Sequence, residues 1–380
     1  MTGLSKSDHF DLFDKLRLMN WGLVLLIVAI GLTGVALLYS AGGMKWTPWA
    51  GAQLARFVVG LVLMLGLALV DLRFWLRWAY PLYGIMLVLL VVVELMGHIG
   101  MGAQRWINFG FFVLQPSELM KIALVLALSK YFHGLELEDV GRPTMLVAPT
   151  AMVLAPVGLV LLQPNLGTAT LLLAASAAIF FVSGVRWWKF ALVIAAVALL
   201  APIAWHHLHD YQRARLTTFM NPDADPLGAG YNILQSKIAL GSGGLFGKGF
   251  GMGTQSQLQF LPEKHTDFIF VVLAEELGML GALGLLFMYF LLLFYGYLIS
   301  FACRSAFGRT AAFGLTTTFF LYVFVNVAMV TGTIPVVGIP LPLVSYGGTA
   351  MMTLMIGCGL LLGISIHRDT RISRGGVGDF

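Results

Sequence analysis

The sequence predicts an all-α polytopic membrane protein: ten transmembrane helices with a large structured extracytoplasmic loop between helices 7 and 8. Three observations predict it. The 380 residues are 59% hydrophobic and 11% charged, with a mean hydropathy of +0.87, whereas soluble domains carry about 25% charged residues. Apolar runs of roughly 20 residues, enough to cross about 30 Å of hydrocarbon as a helix, recur along the chain. A membrane β-barrel would show short alternating segments instead. Basic residues, finally, are divided unevenly between the segments that join the runs.

Taken in order, residues 1–20 place Phe10, Leu12, Phe13, Leu16 and Leu18 among Asp and Lys, the spacing of a short cytoplasmic helix lying on the membrane surface. The first apolar run is long enough to span, and no small-residue cleavage site follows it. It therefore reads as helix 1, Trp21 to Tyr39, rather than as a signal peptide. The other spans are expected near 54–70, 79–97, 114–133, 144–162, 166–184, 188–207, 267–299, 311–331 and 344–366. Gln163-Pro164-Asn165 leaves room only for a tight turn, which makes helices 5 and 6 antiparallel neighbours. Residues 1–380 thus read as one integral membrane domain with a loop at 208–266 and a cytoplasmic tail at 367–380.

With a cytoplasmic N-terminus, the inner segments hold Lys6, Lys15, Arg17, Arg73, Arg77, Lys130, Arg142, Arg186, Lys189, Arg304, Arg309, Arg368, Arg371 and Arg374. The short outer loops hold Lys45, Arg56 and Arg105. That asymmetry puts both termini in the cytoplasm. It also accounts for the basic pI without nucleic acid, which would need a clustered basic face. Cys303 lies in a cytoplasmic turn and Cys358 within helix 10, so neither a disulfide nor a metal-ligand spacing is expected.

The outer loop is long for a compact protein, which marks it as functional or disordered. Its run YNILQSKIAL, Tyr231 to Leu240, has helical periodicity and contains Lys237. The following Gly241–Gln257 stretch is dense in glycine, which allows close approach of amides to a diphosphate, or else simply a flexible loop. It is not a Walker loop, because Ser242 stands at the first glycine position and Gly249 follows Lys248.

Next come Glu263, Lys264, His265 and Asp267 in one short polar turn at the mouth of helix 8. An Asp there can cap the helix, but Thr266 would cap equally well and the cluster is larger than a cap requires. Glu118 and Lys121 stand three apart on one face of helix 4, after Pro116-Ser117. They are either a polar functional pair facing the bundle or a self-neutralising lock on helix packing. Glu275 and Glu276 follow within helix 8, and eight residues of separation favour Glu275 as the one sharing a face with Asp267. In Thr331–Ala350, Pro335, Pro340, Pro342 and Gly347-Gly348 preclude regular helix and imply a folded segment at membrane depth. Ser345 and Tyr346 within it can reach the same place as Asp267.

The motifs RWINFGFFVLQPSELMKIAL, QPNLGTA, DPLGAGYNILQSKIALGSGGLFGKG, GTQSQLQFLPEKHTDFIFVVLAEELG and GIPLPLVSYGG occur in order across nearly the whole chain. Together they resemble the SEDS family of cell-wall proteins, in its elongation-type rather than its division-type branch. The resemblance implies a peptidoglycan glycosyltransferase of the bacterial cytoplasmic membrane. Such a protein polymerises lipid II, an undecaprenyl-pyrophosphate disaccharide-peptide, on the extracytoplasmic side, with a class B penicillin-binding transpeptidase and elongation-complex proteins as partners. The family's essential aspartate falls on Asp267, its helix-4 pair on Glu118 and Lys121, and its loop Arg and Trp on Arg105 and Trp106. Where the family usually has QPDLGT, this chain has Asn165, which puts any role for that carboxylate in doubt.

Making a β-1,4 bond from an α-linked diphosphate donor requires inversion, one carboxylate to accept the acceptor hydroxyl's proton, and cations for the leaving group. Asp267 is the expected base. Lys121, Arg105, Arg215, Lys237, Lys248 and Lys264 are the candidates for the diphosphates. A divalent cation, magnesium or manganese, with Asp267 as a ligand, is the cofactor this chemistry allows. Because the lipid tail stays in the bilayer, an apolar groove beneath Asp267 is expected. The few charges of helices 8 and 9 make them the expected contact for the transpeptidase. Two other classes remain open at the level of sequence. One is a lipid II flippase with Glu118, Lys121 and Glu275 as a proton relay; the other is a non-catalytic scaffold for the transpeptidase.

Overall fold

The computed structural model describes residues 11–96, 98–100, 103–108, 110, 113–136, 138–207, 213, 217–221, 229–257, 260 and 263–373. Ten long helices stand close to the ten expected runs: α2 (Trp21–Ala41), α3 (Ala50–Ala68), α4 (Leu72–Met96), α5 (Pro116–His133), α6 (Pro143–Leu162), α7 (Leu166–Val182), α8 (Trp187–His207), α11 (Ile269–Ala302), α12 (Ala306–Val330) and α13 (Gly348–Ile366). Among the described residues, seven of these are long and apolar enough to cross a membrane. Shorter helices among the described residues include α1 (Leu12–Leu18), α9 (Ala229–Ser242) and α10 (Thr254–Gln257).

In α1 no side chain is buried and Leu12, Phe13 and Leu18 are exposed. Lys15 Nζ donates to Leu69 O at 2.8 Å, so α1 is tied to the end of α3. The run 231–240 is helical, within α9, as its periodicity predicts. Pro116 is the first residue of α5, where its missing N–H costs nothing.

α5 and α12 form the centre. α5 is buried all round, as a helix apolar on every face must be, and α12 packs on α5, α7, α11 and α13. α3 lies along α13 and turns Val58, Val59 and Val62 outward; α8 exposes Leu192, Val193, Ile194 and Val197. Exposed apolar side chains on outer helices are what a bilayer solvates.

Two features depart from the all-α, unbroken-helix expectation. The connection between α4 and α5 forms a small antiparallel sheet, β1 (His98–Gly100), β2 (Ala103–Asn108) and β3 (Val113–Leu114), paired β1-β2-β3, so Arg105 and Trp106 sit on a strand. Strands this short lack the alternation that reveals them in sequence.

The second departure is a break in α11 at Gly278 (φ 68°, ψ −165°). There the glycine-rich stretch lies against the helix: Lys248 N and Gly249 N donate to Glu275 O and Glu276 O, each at 3.0 Å, and Met279 N and Leu280 N donate to Gly244 O at 2.9 Å and Leu245 O at 3.2 Å. The loop thereby satisfies backbone groups that the break releases. The glycines allow this close approach. A Cβ at Gly247 (φ 81°) would stand 2.1 Å from Glu276 O. Gly247→Ala is therefore expected to destabilise the protein by about 1–3 kcal/mol or more. Gly241→Ala, where a Cβ meets nothing within 4 Å, serves as the control in a detergent melting experiment.

Candidate active site

The polar turn before α11 folds on itself. Thr266 N and Phe268 N both donate to Glu263 O at 3.2 Å, and Thr266 Oγ1 donates to Glu263 Oε2 at 2.8 Å. The N-cap of α11 is Phe268, with no side-chain capping bond, so neither Thr266 nor Asp267 holds the capping position. Asp267 is half-buried.

Three segments clamp this turn. From the proline-rich segment after α12, Ser345 Oγ donates to Thr266 O at 2.5 Å and Tyr346 N donates to His265 O at 2.8 Å. A Cβ on Gly338 (φ 73°) would stand 3.4 Å from Asp267 Oδ2, so the carboxylate faces a glycine. From α12, Asn326 Nδ2 donates to Asp267 O at 2.8 Å and to Ile339 O at 2.7 Å, tying both segments to one buried amide. From α3, Trp49 stacks on His265 at 4.5 Å with the rings 9° apart, and Gln53 Nε2 donates to Ser345 O at 3.0 Å. The Arg56 guanidinium lies 4.7 Å over the Tyr346 ring. Ser345 and Tyr346 thus do meet the Asp267 turn, chiefly as clamps on its backbone.

The other predicted residues fall into separate neighbourhoods. Arg105, on β2, donates to Gln163 O at 3.1 Å and also to Pro164 O, holding the turn between α6 and α7. In that turn Asn165 Oδ1 caps α7 by accepting from Thr168 N at 3.3 Å, a task at which Asn and Asp are equals. The missing carboxylate therefore leaves the fold of the turn unchanged. α7 in turn packs on the proline-rich segment, where Gly167 lies against Val337 and Ile339. Arg215 lies outside the described residues, and of Trp106 no contact beyond its strand pairing with His98 enters here.

Glu118 and Lys121 are buried and paired, Nζ to Oε1 at 2.6 Å, and Tyr322 joins both through its hydroxyl. Tyr322 stands one helical turn from Asn326 on α12, so this trio and the Asp267 clamp share a helix face. Beside the trio lies a small cavity of about 30 Å³, lined by Leu292, Leu315, Phe319, Thr353 and Leu354, room for about one water and no more.

Glu275 and Glu276 are both fully buried, on different partners. The loop folded over the helix break encloses both faces. Glu275 accepts from Lys248 Nζ at 2.8 Å, Gln255 N at 2.9 Å and Thr254 Oγ1 at 3.1 Å. Glu276 accepts from Ser40 Oγ at 2.5 Å, and its charge acts on Lys264. Lys237 is exposed, with its Nζ 3.0 Å from where a Cβ on Gly332 would be.

Electrostatics at the turn follow from burial. Burial lowers the Lys264 pKa, opposed by the Glu276 carboxylate. Burial likewise lowers the His265 pKa, opposed by Glu263 and reinforced by Lys264. A base whose folded pKa is depressed binds fewer protons folded than unfolded, so its contribution is intact above the ordinary His value of about 6.5 and is lost as pH falls below it. The melting temperature is expected to drop between pH 7.5 and 5.5, and His265→Gln is expected to remove part of that drop.

Asn326, Tyr322, Gln53 and Trp49 escape the sequence reading. Asn326 and Tyr322 do leave a signal, two polar groups four apart in an apolar span. Among the described residues no three His, Cys, Asp or Glu side chains converge on a metal site. The arrangement fits a magnesium-like ion only in the common form of one carboxylate, here Asp267, with substrate phosphates and water completing the shell.

The family model for the FtsW, RodA and SpoVE cell cycle proteins matches residues 15–370. Peptidoglycan glycosyltransferase MrdB of Escherichia coli K12 is 45% identical over 359 residues, covering 94% of this chain and 95% of that protein. The probable peptidoglycan glycosyltransferase FtsW of Trichlorobacter lovleyi is 37% identical over 367 residues, covering 92% and 94%. Among solved structures, a chain of a peptidoglycan synthase complex that coordinates polymerisation and crosslinking matches with a TM-score of 0.81 at 35% identity, covering 92% of this chain and 98% of that one. The rod shape determining protein RodA of Thermus thermophilus matches with a TM-score of 0.70 at 32% identity, covering 93% and 98%.

Proposed function

We propose, for a chain that belongs to the FtsW/RodA/SpoVE (SEDS) family, that Asp267 is the general base with which it joins lipid II into glycan strands. The protein is a peptidoglycan glycosyltransferase of the elongation type and a multi-pass protein of the inner membrane. The observation that carries the assignment of the base is the clamp. Asn326, Ser345 and Tyr346 fix the backbone of residues 265–267 from two segments, while the carboxylate faces a glycine and remains half-exposed. Such preorganisation is what a proton acceptor requires.

In this reading the acceptor sugar's 4-hydroxyl oxygen attacks the donor's anomeric carbon from the face opposite the diphosphate. The new C–O bond forms as the bond to the diphosphate breaks, and the hydroxyl proton passes to an Asp267 oxygen. The undecaprenyl diphosphate leaves as an anion, so no protein acid is needed. Nearby cations, with Lys264 three residues from the base, offset the charge that develops on it. A divalent ion, when bound, would supply further charge neutralisation there.

The ten long helices span the membrane, both termini face the cytoplasm, and the Asp267 turn lies at the outer lipid boundary. The lipid tail of the donor would enter from the bilayer beneath the Asp267 turn, where an apolar groove is expected. A class B transpeptidase is the expected partner. The faces of α11 and α12 that expose Phe287, Phe290, Phe294, Phe320 and Phe324 are where its membrane helix would pack.

Purified protein incubated with lipid II, with and without the transpeptidase, tests the whole reading. Strand synthesis is the expected result. Translocation of lipid II in liposomes without synthesis would replace the enzyme with a transporter, and neither activity would leave only a scaffold.

A further inference from the structure

The cations around the Asp267 turn differ in what their donors are doing. Lys121 is held by Glu118 and Tyr322, Lys248 by Glu275 and Thr254, Arg105 by two carbonyls of the 163–165 turn, and Lys264 lies buried in the field of Glu276. Arg56 stands apart. Among the described residues its guanidinium makes a ring contact with Tyr346 and packs on Gly348, with no hydrogen bond or carboxylate partner. Its five N–H donors are therefore available while one face of its plane is already fixed on an aromatic ring.

The side chain is also aimed by its helix. α3 buries Gln53, Phe57, Gly60 and Met64 and turns Val58, Val59 and Val62 outward. Arg56, four residues before Gly60, lies beside the buried stripe and is half-buried, so it points inward over Tyr346 rather than along the lipid face. Tyr346 N is bonded to His265 O, two residues from Asp267. The guanidinium is thus rigidly connected to the turn that carries the base. A planar fork held on one face, with unfilled donors, is matched to phosphate oxygens, which it binds with two parallel bonds.

We infer that Arg56 binds a diphosphate group of lipid II beside Asp267, with Tyr346 as the platform that orients it. The inference rests on Asp267 marking the reaction centre and adds to it the group that grips the donor or the departing product. Arg56 therefore contributes mainly to binding, whereas Asp267 contributes to the chemical step.

The test measures inhibition of strand synthesis by farnesyl diphosphate against farnesyl monophosphate, together with KM and kcat for lipid II. Arg56→Gln is expected to raise KM and the inhibition constant for the diphosphate at least about tenfold, the size of a lost charge-assisted contact. The preference for diphosphate over monophosphate should shrink with it. Arg56→Lys should recover part of the preference. Tyr346→Leu should weaken diphosphate inhibition less than Arg56→Gln. A folded Arg56→Gln protein with unaltered KM and diphosphate preference would overturn the inference, as would equal losses for both inhibitors. Direct binding of farnesyl diphosphate to Asp267→Asn keeps the two assignments separate. Wild-type affinity there that is lost on adding Arg56→Gln supports Arg56 whatever the fate of the base.

Discussion

Asp267→Asn abolishes strand synthesis and leaves a folded, membrane-inserted protein: this is the largest effect expected from any single substitution in the chain. Asn has nearly the same shape, and the contacts that fix the turn are made to the backbone of residues 265–267, including Asp267 O by Asn326 Nδ2 at 2.8 Å. That bond to Asp267 O does not need the carboxylate. What the substitution removes is the proton acceptor and one negative charge. Loss of a positioned base costs typically 10²–10⁴-fold in rate, and uncatalysed transfer from lipid II sets the floor. The measurement is polymerisation of lipid II by purified protein, with melting temperature as the control for folding. Ser345→Ala makes the contrast, since it loses the bond to Thr266 O and frees Leu341 N. It should lower both the melting temperature and the rate, by loosening the turn rather than removing the base. An Asp267→Asn protein that still makes strands would end the assignment.

How much of this was legible in the sequence depends on which force made each element. The ten long helices were legible because each follows an apolar run, and a run suited to lipid can satisfy its own backbone bonds within one segment only as a helix. The polar turn was legible because four ionisable groups crowd the mouth of one such run. The break at Gly278 was not. Nothing local separates Gly278 from Gly281 or Gly284 three and six residues on. What breaks the helix is a loop some thirty residues upstream that supplies replacement hydrogen bonds to Glu275 O and Glu276 O. For the same reason the contact that the glycine-rich stretch makes with this helix is not readable from the stretch itself. Arg56 was read only as an outer-loop charge, because its significance lies in a partner, Tyr346, that is 290 positions away in the chain.

The Glu118–Lys121 pair yields the second large effect, and it separates the two readings that the sequence leaves open. Both side chains are almost wholly buried and, with the Tyr322 hydroxyl, neutralise one another. Lys121→Ala strands a carboxylate in the bundle, and breaking a buried pair in this way costs roughly 3–5 kcal/mol. A marked fall in melting temperature and loss of activity are expected together, so the single variant alone cannot assign a role. The double variant Glu118→Gln with Lys121→Met can. It keeps similar volumes and removes both charges at once, and replacing a buried pair by neutral groups is often close to neutral for stability. Recovery of both melting temperature and strand synthesis would make the pair a lock on α5 against α12. Recovery of stability without synthesis would mean that charge at this point acts on the substrate, one helical turn beneath the residue that holds Asp267. The second outcome is the expected one. Tyr322 stands one helical turn from Asn326, which holds Asp267, and a lock alone would be better built from the apolar side chains that fill the rest of α5.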